Sequence, residues 1–343
     1  MARVKSDIIV IMDKLFLKRG KGVPMKKMLF IYNPMAGKEQ IKNKLSDIIR
    51  VLCAGGFEIT IFATQGKEDA TNIVVKKGEQ YDYVVCSGGD GTMNEVAAGL
   101  MQLTKRPVCG YIPAGTVNDF ASTLRIPRIM KRAAQLITQG SVFHCDMGQF
   151  NERYFTYVAG FGAFTEVSYQ TPQEWKNALG KVAYFIEGLK HIADIKTHHM
   201  KIEYDGNVIE DDFILGLVSN SVSVAGYKAY SKMNIMMDDG LFEVLFIKAI
   251  RNPMELQAAL NALVSKKFDS ERIFQFSASK IHIISEDAVQ WTLDGEDGGT
   301  CAEVVMTNHQ YALPIICDQS VSKEISHKYI KQGRGLSLED NEK

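Results

Sequence analysis

Between residues 25 and 112 the sequence changes its hydrophobic period again and again, and this alternation restricts the fold more than any other feature of the chain. Short apolar runs at 28–33, 57–62, 83–86 and 108–112 read as buried strands. Between them, residues 39–54, 68–77 and 93–103 carry apolar positions at helical spacing. The first of these places Ile41, Leu45, Ile48, Ile49 and Leu52 on one face, and Gly55-Gly56 closes it. Strands that alternate with helices need crossover connections, and crossovers produce a parallel sheet. Ligands of such sheets bind beyond the carboxyl ends of the strands, so the loops there are the place to look for chemistry.

After about Gly140 the texture changes. Strand-like segments follow one another at 142–148, 153–159, 200–204, 208–219, 241–247, 273–276, 280–284, 289–293 and 302–306, the pattern of a mainly antiparallel β domain. Helical stripes interrupt it at 172–195, with Trp175, Leu179, Val182, Ile186, Leu189 and Ile192, and at 253–264; both read as core packing. At 343 residues the chain has room for about two domains. The division expected is an extension over 1–24, an α/β domain over 25–140, a β-rich domain over 141–317, and a polar tail over 318–343 that packs back on the first domain. The extension carries Arg3, Lys5, Lys14, Lys18, Arg19 and Lys21 against Asp7 and Asp13 and reads as a loosely packed or basic amphipathic segment.

Charge and cysteine content exclude several classes. The 40 basic and 40 acidic residues cancel, so no global field favours nucleic acid and any site for a charged ligand must be local. Six cysteines lie scattered without a CxxC pair, which fits reduced thiols in a cytoplasmic protein. No apolar run approaches the roughly 20 residues of a spanning helix.

Three strands run into unusual loops: "YNPMAGK" (32–38), "SGGDGTMNE" (87–95) and "PAGTVNDFA" (113–121). Gly88, Gly89 and Gly91 free backbone N–H groups to face a bulky anion, and a helix starting near Thr92 adds its positive end. Asp90 would repel phosphate unless a divalent cation lies between them. Thr92 and Thr116 supply hydroxyls, Lys38 positive charge, Asn94 and Glu95 a brace for the turn. Asn118 and Asp119 suit a helix cap or a water on the metal. The GxGxxG and GxxxxGK[ST] fingerprints are absent.

"GGDGTMNEVAAGL" with "IPAGTVNDFASTL" resembles the diacylglycerol kinase catalytic family, which includes bacterial lipid kinases and the sphingosine and ceramide kinases. "YNPMAGK", "HCDMGQFNERYF", "MDDGLFEV" and "WTLDGE" extend the likeness from about Met28 to Leu313. The resemblance implies an NAD kinase- or phosphofructokinase-like α/β domain followed by a β-sandwich-like domain. It implies ATP- and Mg²⁺-dependent phosphorylation of a lipid hydroxyl in a cleft between the two. ATP contacts would fall to Asn33, Lys38, Thr64, Gly88, Gly89, Asp90, Gly91, Thr92, Asn94, Glu95, Thr116 and Asn118. Catalytic Mg²⁺ would lie near Asp90 and Asp119. A structural Mg²⁺ would sit at Asp239 with carbonyls near Met236 and Leu241, where Asp238-Asp239-Gly240 also reads as a hairpin turn. Asp294 is the expected general base, with Glu296 as its partner or substitute.

A lipid at a membrane surface is the partner implied, with a homodimer left open and the protein cytoplasmic and peripherally membrane-associated. "SNSVSVAGYKAYSKMNIMMDDG" departs from the family, with Ala225-Gly226 in place of a Gly-Gly pair, which leaves the acceptor lipid open. Adjacent His198 and His199 face opposite ways in a strand and read as surface residues rather than a metal pair. The competing readings are an NAD kinase-like nucleotide kinase and a catalytically silent lipid- or nucleotide-binding module.

Overall fold

The computed structural model describes residues 9–11, 25–162, 196–220, 236–252, 254–255, 258–259 and 271–326. The helix expected at 172–195 and the divergent residues 221–235 lie outside these. Of the helix expected at 253–264, Met254, Glu255, Ala258 and Ala259 are helical.

The chain forms two compact units. One comprises Met1–Cys145 with Tyr311–Lys343, the other Asp146–Gln310. In the first, strands β2 (Lys26–Tyr32), β3 (Phe57–Ala63), β4 (Tyr83–Gly88) and β5 (Val108–Pro113) are parallel in the order β3-β2-β4-β5. Their apolar runs are buried: Met28, Phe30, Val84, Val85, Cys86 and Ile112 are fully enclosed. Helices α1 (Gln40–Ala54), α2 (Asp69–Lys77) and α3 (Asp90–Met101) alternate with them as the change of period predicts.

Both edges of this sheet are extended by segments that periodicity alone did not place there. β1 (Ile9–Ile11), within the amino-terminal extension, pairs antiparallel with β3. The end of β14 (Glu296–Cys317) pairs parallel with β5 at Ile315, and α6 (Gln319–Ile325) follows, its N-cap Asp318 accepting from Ser320 N–H. The short helix expected after Asn118 is α4 (Asp119–Thr123), whereas α5 (Met130–Gln139) went unread in the sequence. α5 buries only Met130, Ala133, Ala134 and Ile137, and its two alanines weaken the hydrophobic stripe.

The second unit is antiparallel. β8 (Val158–Gly162), β10 (Asn207–Ser219), β11 (Phe242–Lys248) and β12 (Ile273–Ala278) pair in that order, and β13 (Lys280–Leu293) joins β8 to the first part of β14. β9 (His198–Tyr204) pairs with β10 and β13, while the short β7 (Arg153–Phe155) pairs with β6 (Ser141–Phe150). An aromatic core fills the unit, with Phe161 edge-on to Trp291 at 4.9 Å and Phe155 stacked on Phe242 at 5.6 Å. Such rings contribute about 0.5–1.5 kcal/mol per pair beyond the area they bury.

His198 and His199 do face opposite ways, but only one is a surface residue. His198 is buried with its ring edge-on to Phe161 at 6.0 Å, whereas His199 Nδ1 lies 2.9 Å from the Asp212 carboxylate. All six cysteines are free, and Cys86, Cys109, Cys145 and Cys317 are buried.

Candidate active site

The three loops converge at the carboxyl ends of β2, β4 and β5. Asn33 N–H donates to the Ser87 carbonyl at 2.9 Å, and Ala114 N–H to the Gly88 carbonyl at 2.8 Å. Asn33 Nδ2 also reaches Thr92 Oγ1 at 3.4 Å, and its Oδ1 accepts from Met35 N–H at 2.9 Å. Gly37, at φ +56°, presses on the Ala114 carbonyl, leaving no room for a Cβ. Lys38 falls in the 3₁₀ turn Ala36–Glu39. Thr64 is buried beside this edge, its N–H bonded to the Tyr32 carbonyl at 3.0 Å.

The glycines of "GGDG" are required for closeness more than for unusual torsions. None of Gly88, Gly89 and Gly91 has a positive φ. A Cβ on Gly115 would stand 2.6 Å from Gly89 Cα, and one on Gly88 would strike Thr92 Cβ at 2.5 Å. The second and third loops thus touch backbone to backbone.

Helix α3 begins at Asp90 rather than near Thr92, with Gly89 as N-cap. Asp90 and Gly91 therefore occupy the first helical turn, where the macrodipole favours a carboxylate. Burial nevertheless pushes the Asp90 pKa up to about 6, helped by the Asp119 charge and opposed by the backbone N–H groups of Asp119, Asn118 and Phe120. Asp90 Oδ1 is buried and has no hydrogen-bond partner. A buried carboxylate oxygen without a donor, facing a second buried acid, is the donor set a hard divalent cation takes.

Two residues given ATP contacts in the sequence are engaged elsewhere. The Glu95 carboxylate accepts from Glu68 N–H at 2.9 Å and Ala70 N–H at 3.2 Å, so it caps the start of α2. Asn118, in the left-handed region at φ 56°, turns its amide back on its own loop: Oδ1 accepts from Gly115 N–H at 3.0 Å, and Nδ2 donates to the Gly115 carbonyl at 2.7 Å. It makes no side-chain cap to α4. Thr116 is exposed beside it.

Tyr111 was missed. Buried on β5, it reads in sequence as one more bulky residue of an enclosed strand. Its hydroxyl lies 3.3 Å from the Gly88 carbonyl and 3.2 Å from Asn118 Oδ1, bridging the two glycine loops from beneath.

The carboxylates of the second unit divide their roles differently from the expectation. Asp294 and Gly295, at φ 51° and 84°, form the two-residue turn between β13 and β14. Asp294 Oδ2 accepts from Thr156 N–H at 2.7 Å and from Thr156 Oγ1 at 2.8 Å. Its Oδ1 accepts from the N–H groups of Tyr157 at 2.9 Å and Val158 at 3.0 Å. Burial pushes its pKa up against the pull of these donors. With both oxygens accepting hydrogen bonds and the residue enclosed, Asp294 braces the turn. Glu296, two residues on, is exposed.

At the "MMDDG" loop, Asp146 holds the turn that the sequence assigned to a metal. Its Oδ2 accepts from Gly240 N–H at 2.6 Å, and its N–H donates to the Met237 carbonyl at 2.7 Å. Asp239 Oδ1 accepts from Leu241 N–H at 3.0 Å. Among the described residues, no three His, Cys, Asp or Glu side chains gather as a metal centre.

A parallel sheet with two apposed glycine loops and a buried acid pair at its carboxyl edge, joined to an antiparallel β unit, defines a phosphotransferase of the NAD kinase-like type. The comparisons narrow it further. Residues 27–150 match the diacylglycerol kinase catalytic domain, and residues 158–316 the YegS C-terminal NAD kinase beta sandwich-like domain. Diacylglycerol kinase of Bacillus subtilis is 34% identical over 278 residues, covering 80% of this chain and 91% of the relative. That of Staphylococcus aureus strain MRSA252 is 36% identical over 277 residues, covering 80% and 87%. A crystal structure described as a putative diacylglycerol kinase from Bacillus anthracis str. Sterne superposes with a TM-score of 0.74 at 31% identity, over 88% of this chain and 98% of that one. The chain belongs to the diacylglycerol kinase family of lipid kinases.

Proposed function

We propose that the protein transfers the γ-phosphate of ATP to the hydroxyl of diacylglycerol or a closely related membrane lipid, with Mg²⁺ as the accompanying cation. The observation that carries the cation is the unpartnered, buried Asp90 Oδ1 beside Asp119. Asp90 and Asp119 would hold Mg²⁺, which when bound neutralises charge on the phosphate oxygens. A second, structural Mg²⁺ would sit at Asp239 with carbonyls near Met236 and Leu241, on the turn whose N–H groups Asp146 and Asp239 already hold.

The chain's own groups do the rest. The backbone N–H groups at Gly88–Gly91 and Gly115, with the hydroxyls of Thr92 and Thr116, orient the phosphates. Asn33 and Thr64 fix the edge of the nucleotide site, and Lys38 adds positive charge. Asn94 stands one residue from the cap Glu95 and keeps its place in the α3 turn. Glu296 accepts the proton of the lipid hydroxyl as the oxygen attacks phosphorus, and the terminal oxygen of ADP takes the displaced charge. Acceptance of the proton by an exposed carboxylate suits a substrate that arrives from outside.

Transfer of labelled γ-phosphate to a panel of detergent-dispersed lipids, with NAD in parallel, tests the reading. Labelling of diacylglycerol is the expected result. Labelling of NAD alone would move the chain to the nucleotide kinases, and ATP binding without any labelled product would support a silent binding module.

A further inference from the structure

The residues between Asp119 and Asp146 contain no Asp or Glu, yet they contain Arg125, Arg128, Lys131 and Arg132. In a chain whose charges cancel, this is a local positive field. All four side chains are exposed, and among the described residues none of Arg128, Lys131 and Arg132 has an ion-pair partner. Lys131 and Arg132 lie on the exposed side of α5, opposite its buried Met130, Ala133, Ala134 and Ile137, and Arg128 stands two residues before the helix begins. An ordinary solvated helix face mixes signs, as α1 does where Arg50 pairs with Asp47 at 3.0 Å. This one does not.

Large apolar side chains stand beside these cations. Ile129, between Arg128 and the helix, is 58% exposed. Arg128 Nη2 donates to the Val117 carbonyl at 3.1 Å, which ties this segment to the third glycine loop, where Val117 is 46% exposed. Met35, 69% exposed, belongs to the first loop, whose Gly37 lies against Ala114. Single exposed apolar residues need no explanation, but three of them on adjoining loops, flanked by unpaired cations, match a surface that is both anionic and oily.

We propose that this face, made of Arg128, Ile129, Lys131 and Arg132 with Val117 and Met35, docks the first unit on an anionic lipid bilayer. The proposal deepens the lipid-kinase reading and rests on it for the identity of the partner. The cations would meet lipid phosphates while the three apolar side chains enter the headgroup boundary. Each Lys or Arg near such a surface contributes about 1 kcal/mol. Removing two should therefore weaken binding by roughly tenfold to thirtyfold, since 1.4 kcal/mol is a factor of ten.

The test is co-sedimentation of the full chain with vesicles of phosphatidylglycerol and phosphatidylcholine, against pure phosphatidylcholine vesicles, at several salt concentrations. Lys131→Gln/Arg132→Gln keeps helix-forming side chains at exposed positions and should leave the melting temperature unchanged. Wild type should bind the anionic vesicles in a salt-sensitive way, the double variant tenfold or more weakly, and Ile129→Ser should also bind less. Both variants should still phosphorylate a short-chain diacylglycerol dispersed in water at the wild-type rate. Equal vesicle binding by wild type and double variant overturns the proposal, as does patch-dependent binding of duplex DNA without binding of vesicles. Patch-dependent vesicle binding by a protein that phosphorylates no lipid would sink the kinase reading and leave the docking face standing.

Discussion

Exchanging Asp294 for Asn separates a brace from a base. The amide keeps one accepting oxygen and places an NH₂ where the other oxygen accepted two donors, either the Thr156 pair or the Tyr157 and Val158 N–H groups. Hydrogen bonds to a charged group contribute about 1.5–3 kcal/mol each, so two lost bonds amount to about 3–6 kcal/mol. Removing a charge that burial already disfavours returns part of this. The net loss is therefore smaller than about 3–6 kcal/mol, a fall in Tm of at most roughly 6–24 °C for a unit of this size. Calorimetry reads that directly. Turnover measured well below the lowered Tm should stay within about tenfold of wild type, because the base we propose is Glu296. Glu296→Gln should do the reverse, lowering kcat by about 10²–10⁴-fold with its Tm unmoved. An Asp294→Asn protein that melts like wild type yet turns nothing over would show that the four hydrogen bonds are dispensable and the carboxylate is chemical after all.

Three further outcomes follow from the same geometry. Because the folded-state pKa of Asp90 is raised from 3.8 to about 6, its charge costs the folded protein nothing at low pH and on the order of 2–3 kcal/mol above pH 6. Mg²⁺ should therefore raise Tm more at pH 7.5 than at pH 5, and Asp90→Asn should abolish that difference; an equal response in the variant would place the cation elsewhere. Tyr111→Phe removes one hydroxyl, but Gly88 O keeps Ala114 N–H and Asn118 Oδ1 keeps Gly115 N–H as donors, so stability should fall by only about 1 kcal/mol. If the hydroxyl sets the spacing of the two loops, the KM for ATP should rise several-fold while the KM for lipid holds; steady-state kinetics with each substrate varied checks this. Glu95→Ala uncaps α2 and should cost about 1–2 kcal/mol in denaturant unfolding, with ATP affinity changed less than twofold. A large loss of ATP affinity without a loss of stability would return Glu95 to the nucleotide site.

What the sequence made legible is what repeats along it. The alternation of periods placed β2 to β5 and α1 to α3 to within a few residues, because each is a local pattern enforced by burial on one face or both. Elements that depend on distant partners were not legible. The Ile9–Ile11 strand is three residues long, and the pairing of Ile315 with Cys109 joins positions two hundred residues apart. Helix α5 was lost because alanines do half of its packing. The candidate site divides along the same line. Loops that gather at a sheet's carboxyl edge can be read from the order of elements, so Asn33, Gly88, Thr92 and Gly115 were rightly brought together.

The work of each carboxylate could not be read that way, since an acid is defined by its partners. Asp90, Glu95, Asp146 and Asp294 all sit in Gly-rich or strand-end motifs. Of these, Glu95 caps a helix, Asp146 closes a turn and Asp294 braces a hairpin. Only Asp90 is left with a buried oxygen that no donor reaches. Had the sequence placed all four at the chemistry, their mutual repulsion in a buried site would have pushed their pKa values up together. All four instead took backbone N–H groups as partners, and Asp90 alone keeps one buried oxygen outside them. The motif therefore supplies one acid for the cation and a scaffold of acids that holds the glycine loops and turns in place.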